Sequence, residues 1–161
     1  MIAAALLLAA AGVEGRTTLG VYQSWAAFRD AAPRRCFAIA APIGAGAASR
    51  WHPFASVLSR FGKDRRGAVF IRMSAAIRPG AAVTLAIGER RFTLSARDSA
   101  AWSPDAATDH AIVAAMRGAR SMSASSVAAS GRPFADTYAL AGAATAIDAA
   151  TLGCAPSSPL P

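Results

Sequence analysis

The strongest alternation along the chain is in VTLAIGERRFTL, residues 83–94. With Gly88 and Glu89 as a two-residue loop, Val83 faces Leu94, Leu85 faces Phe92 and Ile87 faces Arg90. The intervening positions pair Thr84 with Thr93 and Ala86 with Arg91. One face is apolar and the other mixed, as in a half-buried hairpin, and glycine at the first loop position suits a type II′ turn. Shorter runs predict strands over 19–28, 36–42, 54–61 and 68–77. Two later strands lie in SMSASSVAAS and RPFADTYAL, joined around Ser130 and Gly131.

The period changes in SPDAATDHAIVAAMRGAR, where Ile112, Val113 and Met116 share one helical face. Ser103 is the expected cap, with Pro104 at the first helical position, Asp105 complementing the N-terminal dipole and Gly118 ending the helix. GAATAIDAATLGC predicts a short closing helix with Ile147 inward, Gly153 as its stop and Cys154 just beyond. Many strands, one late helix, two strands and a final helix predict a mainly β fold. The expected form is an antiparallel β-sandwich or barrel with one inserted helix and a short C-terminal helix. Much of the apolar content is alanine, so the core is expected to rest on Trp25, Phe37, Ile39, Phe70, Ile71, Leu85, Phe92, Leu94, Ile112, Val113, Phe134 and Leu140. Trp102, beside the helix start, is expected to join them.

The 161 residues suit one domain. The chain begins MIAAALLLAAAGVEG, an apolar run too short to span a bilayer but of the length of a signal-peptide core. Small residues at Val13 and Gly15 place cleavage before Arg16, although no basic residue precedes the core. The expected organisation is a signal peptide over 1–15, a β-rich domain over 16–155 and a tail over 156–161. The protein is then periplasmic or secreted. In an oxidising compartment two isolated cysteines pair, so Cys36 and Cys154 are expected to form a staple. There is no C-x-x-C for redox chemistry, and His52 and His110 have no metal-ligand spacing. No cofactor or metal is expected.

Charge changes the picture more. The net charge is +8, from seventeen basic residues of which only Lys63 is a lysine. Such a balance attracts polyanions, while scattered arginines also serve simply to keep turns soluble. The basic residues expected to act together are Arg60, Lys63, Arg65 and Arg66, with Arg90 and Arg91 from the hairpin. Trp51 and His52 would add a flat contact if their loop folds over that surface. The expected partner is an anionic envelope component, such as a lipid head group or lipopolysaccharide, or a protein. No nucleic-acid reader motif occurs.

Catalysis finds less support. No G-x-S-x-G elbow is present, and the loop G-A-G lacks the rest of a phosphate cradle. Asp109 and His110 are helix neighbours and point to different sides. Glu89 sits at a hairpin tip, Asp105 at a helix start, and Asp136 and Asp148 look isolated, so no acid–base pair can be named. The expectation is a noncatalytic binding protein; a hydrolase-like enzyme with an unrecognised site is the alternative.

The order YQSWAAF, RRCFAIAAP, VTLAIGERRFTL, DAATDHAIVAAMRGAR and FADTYALAGAATAIDAATLGC resembles the invasion-associated locus B family, from Leu19 to Cys154. Trp25 and the closing Tyr138, Leu140, Gly142, Ala146 and Ile147 are its telling positions. The resemblance implies an exported, envelope-associated β-rich domain and carries over no catalytic residues. Family members usually place a cysteine shortly after the tryptophan, where this chain has Phe28 and Arg29. Cys36 matches the second cysteine of that region. The short-range bridge is therefore missing, and pairing of Cys36 with Cys154 is an inference from this chain alone.

Overall fold

In a computed structural model the residues described are 15–44, 49–60 and 66–155. The expected signal segment and tail, Lys63 and Arg65, and the side chain of Arg60 lie outside them. The strands are β1 (Arg16–Tyr22), β2 (Trp25–Ala31), β3 (Arg34–Ala40), β4 (Phe54–Arg60), β5 (Arg66–Arg72), β6 (Val83–Ile87), β7 (Arg90–Arg97), β8 (Ala100–Trp102), β9 (Ser121–Val127) and β10 (Pro133–Ala139). Helix α1 (Ala106–Gly118) separates β8 from β9, and α2 (Ala143–Gly153) closes the fold.

The ten strands form one open antiparallel sheet in the order β1-β2-β3-β4-β5-β8-β7-β6-β9-β10. The sheet folds over on itself, as in a sandwich, so that its far edge returns to β2 and β3. There Ser24 N donates to Ala141 O, and Ile43 bridges Thr137. The fold is mainly β with one inserted and one terminal helix, as expected.

The β6–β7 register is the one read from the alternation, from Val83 against Leu94 to Ile87 against Arg90. Gly88 has a φ of 55° while Glu89 is not among the positive-φ residues, consistent with the II′ turn. Three expectations change. The expected strand over 19–28 is a hairpin, broken at Gln23 and Ser24, with Gln23 at a φ of 52°. Ser24 is only a weak turn former and Gln23, which takes the left-handed conformation, is not one, so the local signal for the break is faint. A second unforeseen reversal at Asp98 and Ser99 creates β8. Helix α1 is capped by Asp105, whose Oδ1 accepts from Thr108 N at 2.7 Å, while Ser103 Oγ donates to Asp105 O at 2.8 Å.

The core lies inside the fold. Trp25, Ala27, Cys36, Ala38, Val57, Val69, Ile71 and Met73 come from the first half, and Val83, Leu85, Ile87, Leu94, Met122 and Tyr138 from the second. Helix α1 adds Ile112 and Met116, and α2 adds Ala143, Ala146, Ile147 and Ala150. Small residues on both sides let α2 approach β2 and β3 closely, but each contributes little buried area. The bridge Cys36–Cys154 ties the end of α2 to β3, with 5.8 Å between Cα atoms. Gly142 opens α2 at a φ of 86°, and a Cβ there would stand 1.8 Å from the backbone oxygen of Tyr22. Glycine alone satisfies both demands. Of the expected anchors, Ile39, Phe70, Phe92, Val113 and Phe134 are only half-buried, as is Trp102.

Candidate functional site

Strand directions decide which of the expected basic residues meet. Both β5 and β7 pair antiparallel with β8, so they run the same way and begin at one end of the sheet. Arg66 opens β5, and Arg90 and Arg91 open β7. Helix α1 lies between them: Arg90 Nη1 donates to Ala111 O at 3.4 Å, and Gly67 lies beside Val113. Arg90 also stacks over Phe92, 5.0 Å from the ring centre, and Arg91 Nη1 donates to Gly88 O and Arg90 O. All three arginines are exposed, and among the described residues none forms an ion pair.

Trp51 and His52 do not join them. They precede β4, whose seven residues, at about 3.3 Å each, span roughly 20 Å before Arg60. The expected contact over the basic turns is therefore replaced by a place at the opposite end of the sheet. His52 is exposed at a φ of 47°, and His110 is exposed on α1. Among the described residues neither histidine is bonded to a carboxylate. No three His, Cys, Asp or Glu side chains among them gather in a metal-binding group.

The carboxylates are more engaged than their sequence positions suggest. Asp148 pairs with Arg117 at 2.5 Å, joining α2 to α1. Asp109 is buried and accepts from Val69 N at 2.9 Å, pinning α1 to β5. Asp136 is buried and accepts from Ser74 N at 2.7 Å. Its Oδ1 and the nearby Tyr138 hydroxyl have no hydrogen-bond partner, and burial together with Asp136 pushes the Tyr138 hydroxyl up.

The feature that sequence reasoning missed is the outer face of β1–β5. Cys36, Ala38, Val57, Val69 and Ile71 point inward, so the alternate positions Phe37, Ile39, Phe54, Leu58 and Phe70 point outward. Phe28 and Phe37 lie 5.7 Å apart, and Phe54 and Phe70 lie 5.8 Å apart. A groove of about 430 Å³ runs between them, lined also by Arg16, Arg35 and Ser56. Arg16 lies over Phe37 at 5.2 Å, Arg35 over the same ring at 5.8 Å, and Arg72 over Phe54 at 5.7 Å. Such cation–π contacts screen the rings from water. The available signal was the double parity of RRCFAIA and FASVLSR, where large apolar residues fall on positions that should alternate with polar ones.

At one end of this groove Asp30 joins two strands. Arg16 Nε and Nη2 donate to its two oxygens at 2.7 and 3.1 Å, and Arg35 Nε donates at 2.8 Å. The Arg16 hydrogen bonds, helped by Arg35 against the cost of desolvation, lower the Asp30 carboxyl to about 2. A carboxylate whose folded value is depressed stabilises the fold above its unfolded value, and that contribution disappears as pH falls toward the folded one. Since both arginines are partly exposed, about 1 kcal/mol is expected. Denaturation of the protein and of Asp30→Asn should therefore differ at pH 6 and converge between about pH 4 and pH 2. A difference that persists at pH 2 would contradict the assignment.

No family model matches the chain, and no curated protein sequence matches it. Among solved structures, the crystal structure of invasion associated protein b from Bartonella henselae is similar in fold, with a TM-score of 0.59 and 16% sequence identity, over 82% of this chain and 94% of that one.

Proposed function

We propose that this chain is an exported, noncatalytic envelope protein that binds an anionic component through the basic end of its sheet. The observation that carries the reading is that Arg66, Arg90 and Arg91 open β5 and β7 at one end of the sheet, exposed and, among the described residues, without ion pairs, with Arg90 also bonded to α1. Guanidinium forks suit phosphate and carboxylate groups, which lipid head groups and lipopolysaccharide present. The Cys36–Cys154 bridge supports an oxidising compartment. The similar solved protein is named as invasion associated, and by analogy a host surface is a second place where such a component is met.

The protein is expected to sediment with anionic vesicles at low salt, to be released as salt rises, and to ignore neutral vesicles. Combined Arg66→Ala, Arg90→Ala and Arg91→Ala should reduce retention at least fivefold. Absence of retention at low salt overturns the reading.

A further inference from the structure

A solvated antiparallel face is ordinarily polar, yet the outer face of β2–β5 carries Phe28, Phe37, Ile39, Phe54, Leu58 and Phe70. We propose that the groove between these side chains binds a long-chain fatty carboxylate, its head on Arg16 and Arg35 and its chain along Phe37, Ile39 and Phe54. The inference deepens the envelope-binding reading by adding a second site and naming its ligand. It rests on that reading only for the compartment in which the ligand is met.

Charge selects the head group. Arg16, Arg35 and Asp30 form a cluster of net charge +1, and no other carboxylate among the described residues lines the groove. Arg35 uses only Nε toward Asp30, and Arg16 uses Nε and Nη2, so other N–H donors of the two forks remain for a ligand. The Cα of Arg60 stands opposite that of Arg35, so β4 brings no acid to this end. A monoanion neutralises the cluster and a cation is repelled by it. That two guanidiniums already share one carboxylate shows that their spacing accepts this group.

The walls select an acyl chain. Among the described residues lining the groove itself, Ser56 carries the hydroxyl, and its Oγ donates to Phe70 O at 3.4 Å, which leaves little there to recognise a sugar or a peptide. Past Ile39 and Phe54 the groove continues into a mostly apolar recess of about 340 Å³ lined by Val21, Ala26 and Ala41, with Gln23 and Ser24 as its polar members. Val21 is 71% exposed there, and Trp51, 38% exposed, precedes β4 at the same end. Arg72 stays over Phe54 at that end, 5.7 Å from its ring centre. The track thus runs from an end with two guanidiniums, Arg16 and Arg35, to an open and mostly apolar end where Arg72 is the cation on Phe54, and each volume is in the range of a small-ligand site.

The test is a calorimetric titration of the full chain, bridge intact, with monomeric dodecanoate, against dodecyltrimethylammonium and acetate. Saturable uptake of dodecanoate alone, one per chain, is expected. Arg35→Gln, which leaves Arg16 on Asp30, and Leu58→Arg, which leaves the ion cluster intact, should each weaken it at least tenfold. Thermal unfolding checks that both variants are folded, and Arg35→Lys should recover part of the affinity. No uptake at low salt, equal uptake of the cationic chain, or wild-type affinity in both folded variants overturns the proposal. So does a dimer that Leu58→Arg dissolves in a protein that takes up no dodecanoate, which would give the face to a second copy. Vesicle retention without dodecanoate uptake defeats the groove and spares the basic end. Uptake without retention does the reverse.

Discussion

Reduction of the Cys36–Cys154 bridge is expected to lower the stability of the fold by about 4–5 kcal/mol in the chain-entropy account, less any strain relieved. The two cysteines are 118 positions apart, so their bond removes a large loop from the unfolded ensemble. Its local effect follows from the composition of α2. That helix docks on β2 and β3 chiefly through Ala143, Ala146, Ile147 and Ala150, and of these only Ile147 buries a large side chain. Without the bridge, α2 should be the first element to open, its amides exchanging faster than those of β6 and β7. Denaturant midpoints with and without reductant, and in Cys154→Ser, give the direct measurement. An unchanged midpoint would mean that alanine packing alone holds the helix.

Trp25→Ala is expected to cost about 4–5 kcal/mol, from loss of a fully buried aromatic side chain plus its hydrogen bond. Trp25 is 1% exposed, and its Nε1 donates to Ala139 O at 2.9 Å across 114 positions. That bond joins the start of β2 to the end of β10, the place where the sheet closes on itself. Trp25→Phe keeps most of the burial and leaves the Ala139 carbonyl without this donor, so roughly 1–2 kcal/mol is expected. Thermal unfolding of the two variants separates the packing contribution from the hydrogen bond. Equal losses in both would place the whole effect on the hydrogen bond.

Elements with their own local signals were legible in advance. The β6–β7 register followed from a period-two pattern around a glycine, since both strands and the turn are contained in residues 83–94. The two helices followed from their periodicity and from glycines at their ends. The cysteine pairing followed from there being two and from the compartment inferred for the chain. The cap of α1 was misplaced by two residues because Ser103, Pro104 and Asp105 together offer two side chains able to cap; backbone direction chose Asp105. The β1–β2 break was faint in the sequence because Gln23 and Ser24 have no strong turn preference, and contacts with Ala141 and Gly142 hold the chain there.

The candidate sites divide along the same line. Sequence by itself determined that the chain is basic, mainly β and equipped with arginines at its hairpin tips. Those properties belong to single residues or to neighbours along the chain. Only the tertiary structure decided that Arg66 and Arg90 open strands at the same end of the sheet, while Trp51 and His52 stand a strand's length away. Only it turned Ile39 and Phe70 from expected core into the wall of an outer groove, and buried Phe37 beneath Arg16 and Arg35 on that same face. A side chain's parity is written in the sequence, but the face that each parity serves is set by where α2 docks, and that depends on contacts between residues more than a hundred positions apart.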